Sequence, residues 1–319
     1  MLPQLVFNIL HRNKGEVVSG AEIAEELNIS REMVRKIIEK LKADEVEIET
    51  VHSRGYRYIG GHILSQELIK SALKTQIFGQ KIEIFDKIDS TNPYLKNLTS
   101  TAEGQTVIAA EQTLGKGRFN RDFHSPKHGG LYLSMRFAPK ISPAELQFIT
   151  VIAACAVCRA IATLTGVEAD VKWVNDIFYN NRKLCGISTE VIASAENFET
   201  LNVVVGVGIN TKPVGKNLAT IATSTYDLCG RVISRNDLAA ELLNNFEELY
   251  FKFINRGKAE ILHEYKSRQM LFGRTVTVHF ANEEFVAKVV SMNENAALIV
   301  RDENEKTHIL TAGEVSLKL

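Results

Sequence analysis

Apolar side chains recur at helical spacing over the first part of the chain, and they alternate with polar ones just after it. Ser19 and Ser30 precede two of the helical stretches, where a hydroxyl caps a helix, and Glu22 is placed to complete a capping box. Asn28 falls between them, at a turn position that calls for a left-handed backbone. The predicted helices and strands are residues 3–12, 20–27, 31–43, 47–51 and 56–59. This order is typical of a helix-turn-helix followed by a β wing.

Strand-like and helix-like patterns are mixed between about residues 64 and 270. Gly60-Gly61 and a capping serine at Ser65 mark the start of this region. Its predicted strands are residues 107–111, 130–137, 171–173, 176–179, 186–191 and 202–209, and its long helices are 144–164 and 235–256. From residue 272 onward the pattern is strand-rich, with a turn at 293–295. We therefore predict an α+β protein with domains at residues 1–63, 64–270 and 271–319.

The composition is that of a globular protein without an overall charge. Of the 319 residues 45% are hydrophobic, and 38 basic residues balance 38 acidic ones, so any attraction to nucleic acid must be local. No run approaches the roughly 20 consecutive apolar residues that span a bilayer, and we expect a cytoplasmic protein without a membrane contact. The four cysteines are too few for a disulfide framework. Cys155 and Cys158 are expected to be buried rather than to bind a metal.

The second helix of the helix-turn-helix carries the predicted DNA contacts. Basic side chains on this helix suit phosphates and base edges in a major groove, and the hairpin tip adds one more cation. The predicted residues are Ser30, Arg31, Glu32, Arg35, Lys36 and Arg54. Residues 1–60 hold nine basic against ten acidic side chains, which weakens the electrostatic argument. A helical hairpin with a purely structural role is the alternative.

A glycine-rich basic loop is the strongest local chemical signal. In Gly115-Lys116-Gly117-Arg118, followed by Arg121, the glycines let backbone N–H groups approach a ligand that the three cations surround. The composition suits a phosphate or an adenylate, and the spacing is not that of a Walker A loop. By itself such a loop is also compatible with an ordinary surface turn.

Two further segments carry polar groups at strand ends. Lys172-Trp173-Val174-Asn175-Asp176 and Lys183 lie on two short strands that Asn180-Asn181 would join as a hairpin. Gly206-Val207-Gly208-Ile209-Asn210 ends another strand, and its glycines leave room for a ligand. A salt-bridged hairpin and a plain strand are the alternatives when each segment is considered alone.

Together these segments closely resemble the biotin protein ligase family, in the same order and at similar spacing. The matching segments are Asp89-Ser90-Thr91-Asn92, Glu111-Gln112-Thr113-Leu114-Gly115-Lys116-Gly117-Arg118, Leu131-Tyr132-Leu133-Ser134, Lys172-Trp173-Val174-Asn175-Asp176, Lys183-Leu184-Cys185-Gly186-Ile187 and Gly206-Val207-Gly208-Ile209-Asn210. The helix-turn-helix and residues 313–317 also resemble its bifunctional members, the biotin operon repressors. The resemblance covers essentially the whole chain. It implies a mixed-sheet ligase domain like those of class II aminoacyl-tRNA synthetases and a C-terminal SH3-like β-barrel.

The resemblance also implies residue roles. Biotin is expected to contact Ser90, Thr91, Asn92, Gln112, Lys116, Gly117, Arg118, Lys183 and Gly186. The nucleotide is expected to contact Gly115, Arg118, Arg121, Lys172, Asn175, Asp176 and Asn210. Lys183 and Arg118 would be catalytic, and Mg²⁺ would enter with ATP, with Asp176 as its possible protein contact. The departures from the commonest pattern are Lys116, Asn120, Phe123, Val174 and Cys185, where Arg, Gly, Trp, Pro and Ala are usual, and none removes a reacting group.

The implied activity is the formation of biotinyl-AMP from biotin and ATP, followed by transfer of biotin to a lysine. The implied acceptor is the biotin carboxyl carrier protein of acetyl-CoA carboxylase. A homodimer bound to biotinyl-AMP would also bind operator DNA and repress biotin synthesis genes, so that the adenylate is both intermediate and corepressor. Residues 202–209 are the predicted dimer edge, with an ordinary buried strand as the alternative.

Three other functions stay open on the sequence. A biotin-sensing repressor without ligase activity would need the fold only for binding, although Lys183, Arg118 and Asn175 are present. A ligase for another carboxylic acid such as lipoate shares the fold, but the 115–118 loop and the 172–176 segment favour biotin. A ligase whose N-terminal domain no longer binds DNA would account for the weak charge of residues 1–60.

Overall fold

The computed structural model describes residues 2–44, 46–61, 63–118, 121–192, 201–280, 283–311 and 314–317. The chain divides into two compact units, Met1–Leu68 with Ser234–Asn236, and Ile69–Ile233 with Asp237–Leu319. The domain limits drawn from the sequence at 63/64 and 270/271 stay predictions.

The first unit has the predicted helix-turn-helix and wing. Its elements are α1 (Leu2–Arg12), β1 (Val17–Val18), α2 (Gly20–Glu26), α3 (Arg31–Ala43), β2 (Glu47–Val51) and β3 (Gly55–Gly60), with the strands in the order β1-β3-β2. Ser19 caps α2 in a capping box with Glu22, and Ser30 accepts a hydrogen bond from the N–H of Met33 at the start of α3. Asn28 has the expected left-handed backbone, with φ of 51°. The apolar faces of α1 and α3 form the core with the buried Tyr58.

The second unit is built on a mixed sheet. Helices and strands up to its last sheet, of which α4 and α8 begin with residues of the first unit, are α4 (Gln66–Ala72), β4 (Ile82–Phe85), α5 (Thr91–Asn97), β5 (Gln105–Ala109), β6 (Gly130–Phe137), α6 (Gln147–Thr165), β7 (Asp170–Lys172), β8 (Asp176–Tyr179), β9 (Arg182–Ile192), β10 (Asn202–Asn210), α7 (Thr225–Cys229), α8 (Arg235–Arg256) and α9 (Ala259–Ser267). The strand order is β4-β5-β6-β10-β9-β8-β7, parallel between β4 and β5 and antiparallel elsewhere.

Two helices cover opposite faces of this sheet. On β9, Thr189 contacts Thr150 of α6 at 2.8 Å between hydroxyl oxygens, whereas the next residue, Glu190, accepts a hydrogen bond from Asn92 of α5. Successive residues of a strand point to opposite faces, so α6 and α5 lie on different sides. Gly206 is paired with Ser188, on the α5 face. That face therefore carries the small and polar residues that leave room for a site.

The helix α6 is the buried centre of the second unit. The segment Pro143–Thr165 is long and apolar enough to cross a bilayer by composition, but 72% of its most apolar window is buried within the fold. Cys155 and Cys158 lie on this helix with no exposed surface, as predicted. Burial raises the pKa of the Cys158 thiol to about 12, so this thiol stays protonated.

A second, antiparallel sheet follows, with the order β14-β13-β12-β11-β15. Its strands are β11 (Thr275–Phe280), β12 (Glu283–Met292), β13 (Leu298–Asp302), β14 (Thr307–Leu310) and β15 (Glu314–Leu317). This is the strand-rich C-terminal part that was expected. Of the resembling segment 313–317, Gly313 falls outside the described residues.

The long, strongly patterned elements agree best with their predictions. The strands at 130–137 and 176–179 and the helix at 235–256 have the predicted bounds. The helix predicted from residue 144 begins at Gln147, because a 3-10 turn at Pro143–Glu145 precedes it. The short elements β4, α5, α7 and α9 were not predicted, since each is too short to show a clear hydrophobic periodicity.

Candidate functional site

The candidate site is a cavity of about 190 Å³ in the second unit. All of the predicted small-molecule residues line it except Gly115 and Asn210. The predicted residues that it brings together are Ser90, Thr91, Asn92, Gln112, Lys116, Gly117, Arg118, Arg121, Lys172, Asn175, Asp176, Lys183 and Gly186. The sheet and its loops bring these residues together from distant parts of the chain. Their individual roles stay predictions.

One wall of the cavity is neutral and polar. The N–H of Thr91, at the start of α5, donates to Gln112 Oε1 at 2.9 Å, and Gln112 Nε2 donates to Ser125 Oγ at 3.0 Å. Ser134 Oγ on β6 lies 2.6 Å from both Thr91 Oγ1 and Asn92 Oδ1. Thr91, Asn92, Ser125 and Ser134 are almost wholly buried and Gln112 is partly buried, so the network is fixed before a ligand arrives.

The glycine-rich loop borders the same cavity. A Cβ on Gly115 would lie 2.5 Å from the Phe123 carbonyl oxygen, which explains a glycine there although it does not line the cavity. Lys116 Nζ donates to Asp122 Oδ1 at 2.6 Å, and this hydrogen bond holds the pKa of the Asp122 carboxyl below its usual value. The N–H of Gly117 donates to the Arg121 carbonyl at 2.8 Å. Asn120, where the family usually has glycine, lies outside the described residues.

Another part of the cavity lining is cationic, with Lys172 from β7, Lys183 from β9 and Arg118 from the glycine-rich loop. Lys183 Nζ lies 2.8 Å from Asp176 Oδ1, and Arg118 Nη1 donates to Asn175 Oδ1 at 3.0 Å. Asn175 Nδ2 donates in turn to the Ile187 carbonyl at 2.7 Å, which fixes the amide that receives the arginine. Lys172 Nζ lies 5.5 Å from the centre of the Phe178 ring. Positive groups from the loop and from the hairpin thus meet at one place.

The segment between Lys172 and Asp176 is anchored from outside the sheet. The indole N–H of Trp173 donates to the carbonyl of Ala296, in the turn between β12 and β13, at 2.9 Å. The hydroxyl of the buried Tyr265 donates to the Val174 carbonyl at 2.7 Å. The Trp173–Val174 peptide bond is cis. Val315 of β15 also lines the cavity, so the C-terminal strands contribute to the site.

One predicted nucleotide contact, Asn210, has other neighbours, and so do the glycines of the strand that it ends. Asn210, at the end of β10, donates to the Thr223 carbonyl at 3.0 Å and does not line the cavity. The space that the glycines of β10 leave is taken by the side chains of Asn92 and Phe123. A Cβ on Gly206 would lie 2.2 Å from Asn92 Oδ1, and one on Gly208 would lie 2.4 Å from the Phe123 ring.

The predicted dimer edge at residues 202–209 is wrong. The strand β10 pairs with β6 along one side and with β9 along the other, in the middle of the sheet. The backbone N–H and C=O groups of β10 are paired with strands on both sides, so the strand offers no free edge to a second copy. The apolar run Val203-Val204-Val205 is wholly buried and reflects a central strand, which was the alternative.

Several residues of the site were not singled out from the sequence. Ser125, Ser134 and Glu190 take part in the polar network without a predicted role. The signal in the sequence was a polar or charged residue at a strand position that the fold covers. Ser134 interrupts an apolar strand that is buried on both sides, and Glu190 is a half-buried charge between Thr189 and Val191 on β9. A buried polar group needs a partner, and the partners here are pocket residues.

The candidate nucleic-acid surface lies on the first unit. Ser30 caps α3, and Arg31, Glu32, Arg35 and Lys36 are exposed along the first turns of that helix. Arg35 is paired on both sides, with Glu32 at 2.9 Å and Glu39 at 3.1 Å. Arg54 is exposed in the turn between β2 and β3, where Ser53 has φ of 58°. The geometry is that of a recognition helix with a wing, and the charge of Arg35 is offset by the carboxylates of Glu32 and Glu39.

Known proteins resemble both units. The profile of the biotin/lipoate A/B protein ligase family matches residues 84–210, and an HTH domain profile matches residues 4–57. The bifunctional ligase/repressor BirA of Bacillus subtilis is 30% identical over 95% of this chain and 94% of its own, and that of Escherichia coli is 27% identical over the same shares. A solved biotin protein ligase from Aquifex aeolicus, in complex with biotin and ATP, has a TM-score of 0.66 at 25% identity, and the match covers 75% of this chain and 99% of that one. The chain therefore belongs to the BirA family of bifunctional ligase/repressor proteins.

Proposed function

We propose that the protein joins biotin to AMP and then transfers biotin to a lysine of a biotin carboxyl carrier protein, that of acetyl-CoA carboxylase. The observation that carries the proposal is one cavity lined by a neutral hydrogen-bonding wall and by cations from separate segments. This division suits a ligand with an uncharged polar ring at one end and a carboxylate beside a phosphate at the other.

The neutral wall would bind the ureido ring of biotin. Thr91, Asn92 and Gln112 present hydroxyl and amide groups that a protein network already orients, and Ser90 adds a hydroxyl beside them. Preformed hydrogen bonds reduce the entropy lost when the ligand binds. A carboxylic acid that lacks such a ring, lipoate for example, would offer this wall no matching donors and acceptors, which disfavours it.

The cationic wall would bring two anions together. The biotin carboxylate must attack the α-phosphorus of ATP, and pyrophosphate leaves. Lys183 would lie between carboxylate and α-phosphate, and Arg118, Arg121 and Lys172 would face phosphate oxygens, so that they offset the repulsion and the charge that grows in the transition state. The paired Asp176 limits the positive charge around Lys183 before the substrates bind.

Magnesium would reach the site with ATP. No group of three or more His, Cys, Asp and Glu side chains capable of holding a metal occurs among the described residues. Mg²⁺ commonly uses one or two carboxylates together with substrate phosphates and water, so the single Asp176 fits that need. The ion would neutralise part of the triphosphate charge.

The second step needs no nucleophile from this chain. The lysine amine of the carrier protein attacks the biotinyl carbonyl, forms an amide and releases AMP. The Cys185 thiol near the cavity is buried, which raises its pKa well above the ordinary value and makes it a poor nucleophile. The loop from Gly115 to Arg118 would shield the mixed anhydride from water until the carrier arrives.

We also propose that the protein represses transcription as a homodimer bound to biotinyl-AMP. The first unit supplies a capped helix-turn-helix with a wing, and the relatives in Bacillus subtilis and Escherichia coli are named ligase/repressor. A dimer presents two recognition helices to a palindromic operator. Both functions belong in the cytoplasm, where we expect this protein to act.

Transfer to a carrier domain tests the proposed ligase function. The protein is incubated with ATP, Mg²⁺, biotin and an isolated biotin carboxyl carrier domain, and the carrier is weighed by mass spectrometry. A biotin-sized mass increase on one lysine is expected, and a carrier with that lysine replaced by arginine is the control. Modification by lipoate instead of biotin would move the protein to the other branch of the matched family, and no modification by either acid would favour a ligand-sensing repressor.

A further inference from the structure

Behind the neutral wall lies a carboxylate that the proposed reaction does not use. Glu190 of β9 is half-buried beside α5, where its Oε1 accepts from Asn92 Nδ2 at 2.7 Å and its Oε2 accepts from Lys96 Nζ at 2.8 Å. Ser188 Oγ lies 3.3 Å from the same Oε1. Asn92 and Ser188 line the cavity, whereas Glu190 does not. Any effect of Glu190 on a ligand must therefore pass through its neighbours.

The charge of Glu190 fixes the orientation of the Asn92 amide. Burial alone would raise the pKa of Glu190, but hydrogen bonds from Lys96 and Asn92 and the charge of Lys96 outweigh burial and hold the pKa below its ordinary value. An ionised carboxylate only accepts hydrogen bonds. Asn92 must then turn its NH₂ group to Glu190, and its carbonyl oxygen faces Ser134.

This orientation directs the hydroxyl protons of the wall. Ser134 Oγ lies 2.6 Å from both Asn92 Oδ1 and Thr91 Oγ1. The amide oxygen of Asn92 has no proton to donate, so Ser134 donates its single hydroxyl proton to that oxygen. Thr91 turns its own proton to Ser134 or to Gln112 Oε1, which lies 3.1 Å away. In both cases the lone pairs of Thr91 and of the Asn92 oxygen stay available, and lone pairs bind a ligand N–H.

We propose that Glu190 is a positioning residue that keeps this wall an acceptor for the ring N–H groups of biotin, with Lys96 holding the carboxylate in place. The inference rests on the proposed function, because it takes biotin as the ligand. It adds that the polarity of the wall is set by two residues that do not line the cavity themselves, Glu190 on β9 and Lys96 one turn after Asn92 on α5.

Glu190→Gln separates this role from packing, because glutamine has nearly the same shape but a single acceptor oxygen. Lys96 is a cation and takes that oxygen, so the new NH₂ group faces Asn92 and reverses its amide. An Asn92 N–H then replaces the oxygen toward Ser134, and Thr91 uses a lone pair to accept from Ser134. The KM for biotin is expected to rise roughly ten- to hundredfold, the effect of about one mispaired buried polar group. The KM for ATP and kcat are expected to stay within about twofold.

Adding Lys96→Met to Glu190→Gln provides the sharpest readout. Without the cation, the glutamine oxygen can turn back to Asn92, so the KM for biotin is expected to return to within about fivefold of the wild-type value. If Glu190 acted only through packing, the double variant should have a KM for biotin at least as high as that of Glu190→Gln, because two side chains of the packed pair are changed. Ser134→Ala interrupts the network from its other end and is expected to raise the same KM.

Glu83→Gln is the matched control. Glu83 also holds α5 by a carboxylate, since it accepts from Tyr94 at 2.7 Å and from Gln105 at 2.5 Å. Neither partner lines the cavity. This variant is expected to leave the KM for biotin unchanged even if it lowers the melting temperature.

Biotin binding without ATP is measured by calorimetry for each variant, beside steady-state adenylation and thermal unfolding. A wild-type KM in Glu190→Gln, or a double variant as impaired as Glu190→Gln, overturns the positioning role and leaves the ligase function standing. Wild-type protein that does not bind biotin overturns both, and this outcome is recognised because the wild-type measurement itself fails.

Discussion

Positive charge is arranged differently in the two units. On α3 of the first unit, Arg35 is paired with Glu32 and Glu39, three and four residues away on the same helix. In the second unit, Arg118 and Lys183 come from segments more than sixty residues apart and meet beside Asn175 and Asp176. Local pairs on an exposed helix contribute a few tenths of a kcal/mol, whereas charges that converge on a cavity act on reacting groups. The comparison teaches that Arg35 of α3 is balanced by neighbours on its own helix, whereas the cations of the cavity are brought together by the fold.

The largest expected effect is that of Lys183→Ala. Loss of a charge that acts in the transition state is expected to lower the rate of biotinyl-AMP formation at least about a hundredfold, as for other preorganised transition-state contacts. Pyrophosphate release measures it. Lys288→Ala, at an exposed lysine on β12, is the control. Adenylation at a near-normal rate in Lys183→Ala would refute the assigned role.

Arg118→Gly is expected to act on the intermediate. The change removes the hydrogen bond to Asn175 that ties the loop to the hairpin, so biotinyl-AMP should dissociate roughly ten- to hundredfold faster, as expected when a charged hydrogen bond is lost. Release of labelled adenylate from preloaded protein measures this rate. Asn175→Ala should shift it in the same direction. Unchanged release in both variants would mean that the loop does not retain the adenylate.

Each exposed cation of the first unit should contribute modestly to DNA binding, and together these cations should make the binding depend on salt. Arg31→Ala or Arg54→Ala is expected to weaken binding to a duplex of random sequence a few-fold and to reduce the salt slope by about one. Arg35→Ala should do less, since Glu32 and Glu39 already neutralise that side chain. Fluorescence anisotropy over a salt series compares the three. An Arg35→Ala effect as large as the other two would remove the contrast between the units.

The smallest effect concerns the first unit alone. Ser19→Ala removes the hydroxyl of the capping box with Glu22 and should cost about 1 kcal/mol of the free energy of unfolding of that unit. Urea denaturation followed by circular dichroism measures the change. Ser19→Asp keeps a capping oxygen and serves as the control. Adenylation should be unaffected, and a parallel loss of activity would show that the units are coupled.

The two regions also differ in how far the sequence alone predicts them. Ser19, Asn28 and Ser30 act on neighbours a few residues away, so the turn chemistry of the first unit could be inferred from spacing. In the second unit, most of the pocket residues were predicted because their motifs resemble those of the ligase family. The position of β10 could not be inferred, because an apolar run does not tell a central strand from an edge. Glu190 was missed because its role depends on Lys96 and Asn92, which only the packing of α5 on β9 brings together.

The central claim is that the pocket joins biotin to AMP, and pyrophosphate release tests it most directly. The protein is mixed with ATP and Mg²⁺ in the absence of a carrier, with biotin in one sample and lipoate in another. The account predicts a burst of about one equivalent of pyrophosphate per protein with biotin only, because the adenylate stays bound and blocks further turnover. No burst with biotin, or a burst with lipoate alone, would contradict it.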